Sequence, residues 1–134
     1  MLAWTFSART LDEVAALMVQ NNCGEIPIVD TTSQPIGVVT DRDIVCRCIA
    51  AGLDPDTATA RDVMTEGIVF CLDKQELDDA TRVMERKKVR RLPVINGKRR
   101  MIGMLSLGDV YHAAPRAISK EAMQGVSAHH GQGG

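Results

Sequence analysis

Aromatic residues and long hydrophobic runs are scarce in this chain. Among 134 residues there are one Trp, one Tyr and two Phe. Single-stranded nucleic acids bind largely by stacking bases on aromatic rings, so this shortage argues against that class of binding protein. The N-terminal segment has no basic region followed by an apolar run, and no apolar stretch approaches the length of a membrane span. We therefore predict a cytoplasmic protein with no membrane association.

Residue patterns typical of metal sites and catalytic centres are also missing. The two adjacent tail histidines, His129 and His130, have no partner at metal-ligand spacing. Neither a Ser-His-Asp set nor a P-loop can be assigned. No CxxC pair occurs among the four cysteines, which are Cys23, Cys46, Cys48 and Cys71. We predict a protein that is not an enzyme and requires no metal or other cofactor.

Charge is distributed unevenly along the chain. The net charge is only -1, but residues 1–81 carry five Lys or Arg against 14 Asp or Glu, whereas residues 82–134 carry 11 against three. Nine of the 16 basic residues fall within 82–100. Such a run is either a solvated face or a surface for phosphate or an acidic partner. Binding of nucleic acid or another acidic surface through 82–100 is therefore our alternative functional hypothesis.

The chain contains an internal duplication. Shifting the sequence by 66 positions aligns residues 10–44 with residues 76–110 without a gap, and most apolar positions keep their character. Seven aligned pairs are identical: Leu11/Leu77, Asp12/Asp78, Met18/Met84, Pro27/Pro93, Ile36/Ile102, Gly37/Gly103 and Asp43/Asp109. One structural unit is thus present twice.

Each copy predicts the same order of elements. A capping-box start at Thr10 and an apolar stripe predict a helix over 10–22. The short β-branched runs 26–29 and 36–39 predict a hairpin, and a second helix follows to Gly52. The second copy repeats this order from residue 76, and a short apolar run precedes each copy. We therefore predict a mixed α+β or α/β fold of two repeats, each strand-helix-strand-strand-helix, packed sheet to sheet about a pseudo-twofold axis.

These features together resemble a tandem pair of cystathionine-β-synthase (CBS) domains. The match extends over most of residues 2–114 and includes RDVMT at 61–65, RRLPVING at 90–97 and two segments of glycine, two apolar residues, Ser or Thr, two further residues and Asp. We assign residues 1–60 to the first repeat, 61–116 to the second, and 117–134 to a C-terminal helix and flexible Gly-rich tail. The resemblance implies a regulatory module that binds adenosine-containing ligands between its repeats.

The duplicated segment has two physical interpretations. Gly37 would let a ligand approach the backbone, Thr40 at a helix start would favour phosphate, and Asp43 would accept hydrogen bonds from ribose hydroxyls. The same spacing of hydroxyl and carboxylate also makes a helix capping box that needs no ligand. The two roles are compatible, and the residues alone leave both open.

The resemblance also implies which residues form the clefts. The main cleft is expected to combine the glycine-to-aspartate segment of the first copy with the segment that leads into the second copy and with residues of the second copy: Val38, Thr40, Asp43, Val63, Met64, Thr65, Val89, Arg90 and Arg91. A second cleft would use Cys23, Met104, Ser106 and Asp109. No counterpart of DVMT precedes the first repeat, so we place the main site at Asp43.

The expected ligand is AMP, ADP, ATP or a related compound such as S-adenosylmethionine or NAD. Arg90 and Arg91 precede a predicted strand where they can face ligand phosphates, and Gly24 and Glu25 hold the equivalent positions in the first copy. We further predict a homodimer that acts on a separate, unidentified protein.

Overall fold

The computed structural model describes residues 3–108 and residue 110. Contacts divide the described chain into two units. The first unit runs to Ile68 and also includes Arg99–Met101, and the second comprises Val69–Lys98 and continues from Ile102. Asp109 and the segment assigned as 117–134, which includes His129 and His130, lie outside the described residues.

The first unit contains a four-stranded sheet in the order β1-β2-β3-β4. The strands are β1 (Thr5–Phe6), β2 (Glu25–Val29), β3 (Pro35–Thr40) and β4 (Thr65–Glu66). β1 and β2 are parallel, whereas β2 and β3 form the predicted antiparallel hairpin. β4 pairs antiparallel with the other edge of β3. β3 therefore has a hydrogen-bonded neighbour on both sides.

The first helix begins and ends where its caps predict. Helix α1 (Leu11–Asn21) starts after Thr10, whose hydroxyl accepts a hydrogen bond from the Glu13 N–H at 3.4 Å. It ends at Asn22, which adopts the left-handed conformation with φ 49°. One face of the helix is buried through Leu11, Val14 and Met18, which confirms the predicted apolar stripe.

The second helix of the first unit departs from regular α-helical geometry. Helix α2 covers only Asp41–Asp43 and continues as a π-helical stretch over Ile44–Ile49. In that stretch the Ala50 N–H donates to the Val45 carbonyl at 2.8 Å, five residues back. Gly52 follows with φ 78°, in agreement with its predicted role at the end of the helix.

A further short helix, absent from the predicted elements, connects this region to β4. Helix α3 (Ala60–Val63) starts with a capping box between Thr59 and Asp62. The Thr59 N–H donates to the Asp62 carboxylate at 2.8 Å. Met64 is already extended, with φ -62° and ψ 149°, so the chain passes directly into β4.

The second unit repeats much of the first. Its three-stranded sheet has the order β5-β6-β7, with β5 (Cys71–Leu72) parallel to β6 (Arg91–Ile95), followed by β7 (Met101–Ser106). Helix α4 (Leu77–Lys87) connects β5 to β6 and ends at Lys88, which has φ 58°. Residues 96–100 connect β6 to its neighbour β7.

Each unit has an aliphatic core of its own. In the first unit, α1 packs on β2 and β3 through fully buried residues such as Val14, Ile26 and Val39. The second unit uses Met84, Leu92 and Leu107 in the same way. Among the described residues no aromatic side chain belongs to either core.

The observed architecture confirms a mixed fold of helices and two sheets. The packing of sheet against sheet about a pseudo-twofold axis stays a prediction. No helix formed by residues 3–108 has the length and apolar character that a membrane crossing requires.

Candidate functional site

The start of helix α2 is a closed capping box. The Thr40 N–H donates to Asp43 Oδ2 at 3.0 Å, and the Asp43 N–H donates to Thr40 Oγ1 at 3.0 Å. Asp43 is only 9% exposed. The capping interpretation of the duplicated segment is therefore confirmed in the first copy, and any binding role of Asp43 must be additional to it.

A second segment reaches the same carboxylate from β4. In the register between β3 and β4, Thr65 lies opposite Val38 and Glu66 lies opposite Gly37. The Thr65 hydroxyl is 3.4 Å from both Asp43 Oδ1 and Asp43 Oδ2. A hydroxyl group has one proton to donate, so it serves one carboxylate oxygen at a time.

Five of the predicted residues are thus brought together within the first unit: Val38, Thr40, Asp43, Met64 and Thr65. Val63 directly precedes Met64 in the chain, but its side chain is fully buried in the core. Its carbonyl group remains accessible to a neighbouring side chain, as described below for Arg47.

Gly37 lies in close contact with β4. A Cβ atom at this position would lie 2.7 Å from the Thr65 carbonyl oxygen and 3.2 Å from Met64 Sδ. The missing side chain therefore makes room for the neighbouring strand, and the approach of a ligand to this backbone stays a prediction. At the equivalent Gly103, no described atom lies within 4 Å of such a Cβ.

Arg47 is a residue at this site that the sequence interpretation missed. Its Nη1 atom lies 3.3 Å from the Val63 carbonyl oxygen and 3.4 Å from that of Met64. Its Nε atom is 3.8 Å from Asp43 Oδ1. The spacing of four residues between Asp43 and Arg47 on a predicted helix is the signal that indicates such a pair.

A second carboxylate lies near Asp43. Glu25 stands opposite Thr40 in the register of β2 and β3. Desolvation raises the pKa of Glu25, and the negative charge of Asp43 raises that pKa further. The charged form of Glu25 is therefore disfavoured in the folded protein.

The predicted residues of the second unit follow helix α4. The Val89 N–H donates to the Met84 carbonyl at 3.0 Å, and the Arg90 carbonyl accepts from the Leu107 N–H at 2.9 Å. Arg91 is the first residue of β6 and is exposed. These contacts fix the backbone that carries the two arginines.

The residues of the second predicted cleft are distributed over both units. In the first unit, the Cys23 N–H donates to the Met18 carbonyl at 3.0 Å, and Cys23 Sγ lies 3.4 Å from the Glu25 carbonyl oxygen. Met104 and Ser106 belong to β7 in the second unit and are half-buried. Asp109 lies outside the described residues.

One residue of the basic stretch 82–100 forms ion pairs within its own helix. Arg82 lies 3.6 Å from an oxygen of Asp78 and 3.7 Å from an oxygen of Asp79, both in the preceding turn of α4. These i,i+3 and i,i+4 ion pairs neutralise part of the run. The acidic start of the helix thus reduces the net charge that this face presents to an acidic partner.

The described part of the chain offers no obvious place for a metal ion. Within residues 3–108 and 110, no cluster of three or more His, Cys, Asp or Glu side chains could hold one. The cysteines of this region are all unpaired thiols, with Cys48 and Cys71 buried and Cys46 exposed.

Comparison with known proteins identifies relatives of both repeats. Residues 7–48 and 60–116 match the CBS domain family. Hypoxic response protein 1 of Mycobacterium tuberculosis is 36% identical over 106 residues, which are 79% of this chain and 73% of that protein. An uncharacterised protein of Methanopyrus kandleri is 30% identical over 110 residues, 82% of this chain. The chain spans 56% of the length of that relative.

Two solved structures have the same fold. The crystal structure of Hypoxic Response Protein I with two coordinated zinc ions has a TM-score of 0.72 and 33% sequence identity, covering 85% of this chain and 92% of the other. That of CBSX2, a CBS-pair protein from Arabidopsis thaliana, in complex with AMP has a TM-score of 0.68 and 29% identity, covering 84% and 87%.

Proposed function

The chain belongs to the CBS domain family, and on that premise we propose that it is a regulatory module that binds an adenosine-containing ligand. The ligand class comprises AMP, ADP, ATP and related compounds such as S-adenosylmethionine and NAD. The crystal structure of CBSX2 in complex with AMP supports this choice of ligand class. The module is proposed to have no catalytic activity of its own and to act on a separate protein.

The observation that carries the proposal is the convergence of two segments on Asp43. An ionised carboxylate has about four lone-pair positions for hydrogen bonds. The Thr40 N–H occupies one of them at 3.0 Å, and the Thr65 hydroxyl can occupy one more. The remaining capacity suits the two adjacent hydroxyl groups of a ribose, which are both donors.

The base and the phosphates have proposed partners in the same region. Val38, opposite Thr65 in the sheet, and Met64, the residue before Thr65, are half-buried and are proposed to offer apolar surface for an adenine ring. Thr40 stands at a helix start, where free N–H groups and the helix dipole favour a negative charge. Val89, Arg90 and Arg91 of the second unit are proposed to complete the site, the arginines as phosphate ligands.

A second ligand position is proposed at Cys23, Met104, Ser106 and Asp109, with lower affinity. Its β7 strand has no described neighbour corresponding to β4, so nothing described supplies the equivalent of Thr65. Replacing Asp109 with Ala is therefore expected to reduce binding less than the same change at Asp43. The working assembly is proposed to be a cytoplasmic homodimer.

A thermal-shift panel tests the proposal. The protein is heated with adenosine, AMP, ADP, ATP, S-adenosylmethionine or NAD, and with GMP as a control for the base. A ligand present at about 100 times its dissociation constant stabilises the folded state by roughly 2.7 kcal/mol, which raises Tm by several degrees. The proposal predicts such a rise with at least one adenosine compound and none with GMP. No rise with any adenosine compound at millimolar concentration would reject it.

A further inference from the structure

Arg47 links the two segments that meet at Asp43. Its guanidinium group is 3.3 Å from the Val63 carbonyl oxygen and 3.4 Å from the Met64 carbonyl oxygen through Nη1. The same group faces Asp43 Oδ1 at 3.8 Å through Nε. One side chain thus contacts both the helix that carries the carboxylate and the main chain that leads to Thr65.

The start of helix α3 is held firmly, because the Ala60 and Arg61 N–H groups donate to carbonyls at Arg9 and Ser7, and Val63 is fully buried. The chain after Val63 depends mainly on the short strand β4. Helix α3 has only four residues, and β4 has only two, paired with Gly37 and Val38. The last carbonyl groups of a helix receive no hydrogen bond from within the helix, and a cation near them is stabilising. Arg47 supplies this cation to α3 and thereby holds the chain just before Thr65.

The π-helical stretch explains the direction of the Arg47 side chain. Asp43 and Arg47 have i,i+4 spacing, which in an α-helix places two side chains on one face as a direct ion pair. Here Ile44–Ile49 form a wider turn, with the Ala50 N–H bonded to the Val45 carbonyl. The Asp43 pair is accordingly long, at 3.8 Å, while Nη1 reaches the α3 carbonyls. Single π-helical turns are often found at functional sites.

From this geometry we propose that Arg47 is a positioning residue of the ligand site. It holds Val63 and Met64 so that the Thr65 hydroxyl stays at the Asp43 carboxylate, and it acts on the ribose-binding part of the site without touching phosphate. The inference rests on the proposed adenosine site, which provides the ligand. A planar guanidinium can bond several acceptors at once, whereas the lysine ammonium is a point charge.

Three variants test the proposal. Arg47→Gln removes the charge, Arg47→Lys keeps the charge without the planar fork, and Arg42→Gln is the control because Arg42 is an exposed arginine of the same helix. Titration calorimetry measures the affinity for adenosine and for AMP. Amide hydrogen exchange without ligand measures the protection of Thr65 and Glu66.

The expected result has two parts. Arg47→Gln lowers the affinity for adenosine and for AMP by the same factor, on the order of tenfold. This is the usual effect of losing charge-assisted hydrogen bonds. Without ligand, exchange at Thr65 and Glu66 becomes faster by a similar factor, whereas exchange in α1 changes little. Arg47→Lys gives an intermediate effect in both measurements, and Arg42→Gln gives none.

Other outcomes overturn the proposal. A loss confined to AMP would make Arg47 a phosphate ligand, and unchanged exchange at Thr65 would remove its positioning role. If exchange increases uniformly throughout the first unit and the affinity is unchanged, Arg47 only stabilises the fold and does not position the ligand site. If the unmodified protein binds neither adenosine nor AMP, the proposed function fails, and the ligand-free exchange data alone decide whether Arg47 positions Thr65.

Discussion

The hydroxyl group of Thr65 lies 3.4 Å from both carboxylate oxygens of Asp43, although 22 residues separate the two in the chain. Asp43 also caps its own helix through the Thr40 N–H at 3.0 Å. A buried carboxylate requires such partners, because an unpaired charge in the interior is costly. The capping role therefore explains how Asp43 is held in place, and the ligand role uses the acceptor capacity that remains.

Gly37 and Gly103 form a matched pair for testing the packing of β4. Ala at position 37 places a methyl group 2.7 Å from the Thr65 carbonyl oxygen, whereas Ala at 103 meets no described atom within 4 Å. We expect Gly37→Ala to destabilise the protein by about 1–3 kcal/mol, as overpacking does. Gly103→Ala should change stability by less than about 0.5 kcal/mol. Urea unfolding measures both, and equal effects would contradict the close packing at Gly37.

Arg90 and Arg91 should distinguish ligands by their phosphates. Replacing both with Ala is expected to lower the affinity for ATP by roughly tenfold or more, because charge-assisted hydrogen bonds to phosphate are lost. The affinity for adenosine should stay nearly unchanged. Titration calorimetry with both ligands measures the difference. The double variant Lys98→Ala and Arg100→Ala, in the turn between β6 and β7, is the control. Equal losses for ATP and adenosine would exclude the two arginines as phosphate ligands.

The carboxylate of Glu25 should make stability depend on pH. Desolvation and Asp43 raise its pKa in the folded state, so the charged form is disfavoured there. Below the unfolded-state pKa of about 4.3, Glu25 is protonated in both states, and Glu25→Gln should match the original protein. Above the raised folded-state pKa, the original protein carries the unfavourable charge, so Glu25→Gln should be more stable at pH 7.

Urea unfolding of Glu25→Gln at pH 4 and pH 7 checks the sign of this effect. Glu66→Gln, at an exposed position of β4, corrects for the general effect of removing one carboxylate. A stabilisation that is larger at pH 4 than at pH 7 would show that the pKa of Glu25 is not raised.

The uneven charge of the chain leads to a prediction about assembly. A two-fold dimer that sets the acidic part of one subunit against the basic part of its partner satisfies both charges in a self-complementary interface. Screening shortens to roughly 3 Å at 1 M ionic strength, so this dimer should weaken in high salt. Exposed apolar side chains of the first unit, Val19, Val45 and Ile49, offer a competing surface that salt does not weaken. Sedimentation in low and high salt separates the two, because a dimer unchanged in 1 M salt excludes charge pairing.

Long periodic elements were predictable from the sequence, and short ones were not. The apolar stripe and the Thr10 cap locate α1 to within one residue at each end. Helix α3 and strand β4 have four and two residues, too few for a period to appear. The π-helical stretch over Ile44–Ile49 was also missed, because its apolar pattern is also compatible with an ordinary α-helix.

The sequence predicts which residues form the site, but only part of how they are arranged. The duplicated segment identifies Thr40 and Asp43, yet a pattern of residues cannot tell whether Gly37 faces a ligand or a strand. That distinction depends on β4, which returns to β3 from a distant part of the chain. Arg47 could have been found from its i,i+4 spacing to Asp43, but its contacts with Val63 and Met64 depend on the π-helical turn.

Adenosine titration of Asp43→Asn tests the central claim most directly. An asparagine oxygen can still accept the Thr40 N–H, so the capping box and Tm should be largely retained, whereas Asp43→Ala loses this reciprocal bond of the box at a cost of about 1 kcal/mol. The control is Asp41→Asn, an exposed aspartate two residues earlier in the same helix. We predict that Asp43→Asn lowers the affinity for adenosine by roughly tenfold or more, whereas Asp41→Asn leaves it unchanged. Adenosine binding to Asp43→Asn that is as tight as to the unmodified protein would contradict the assignment of this carboxylate as the ribose ligand.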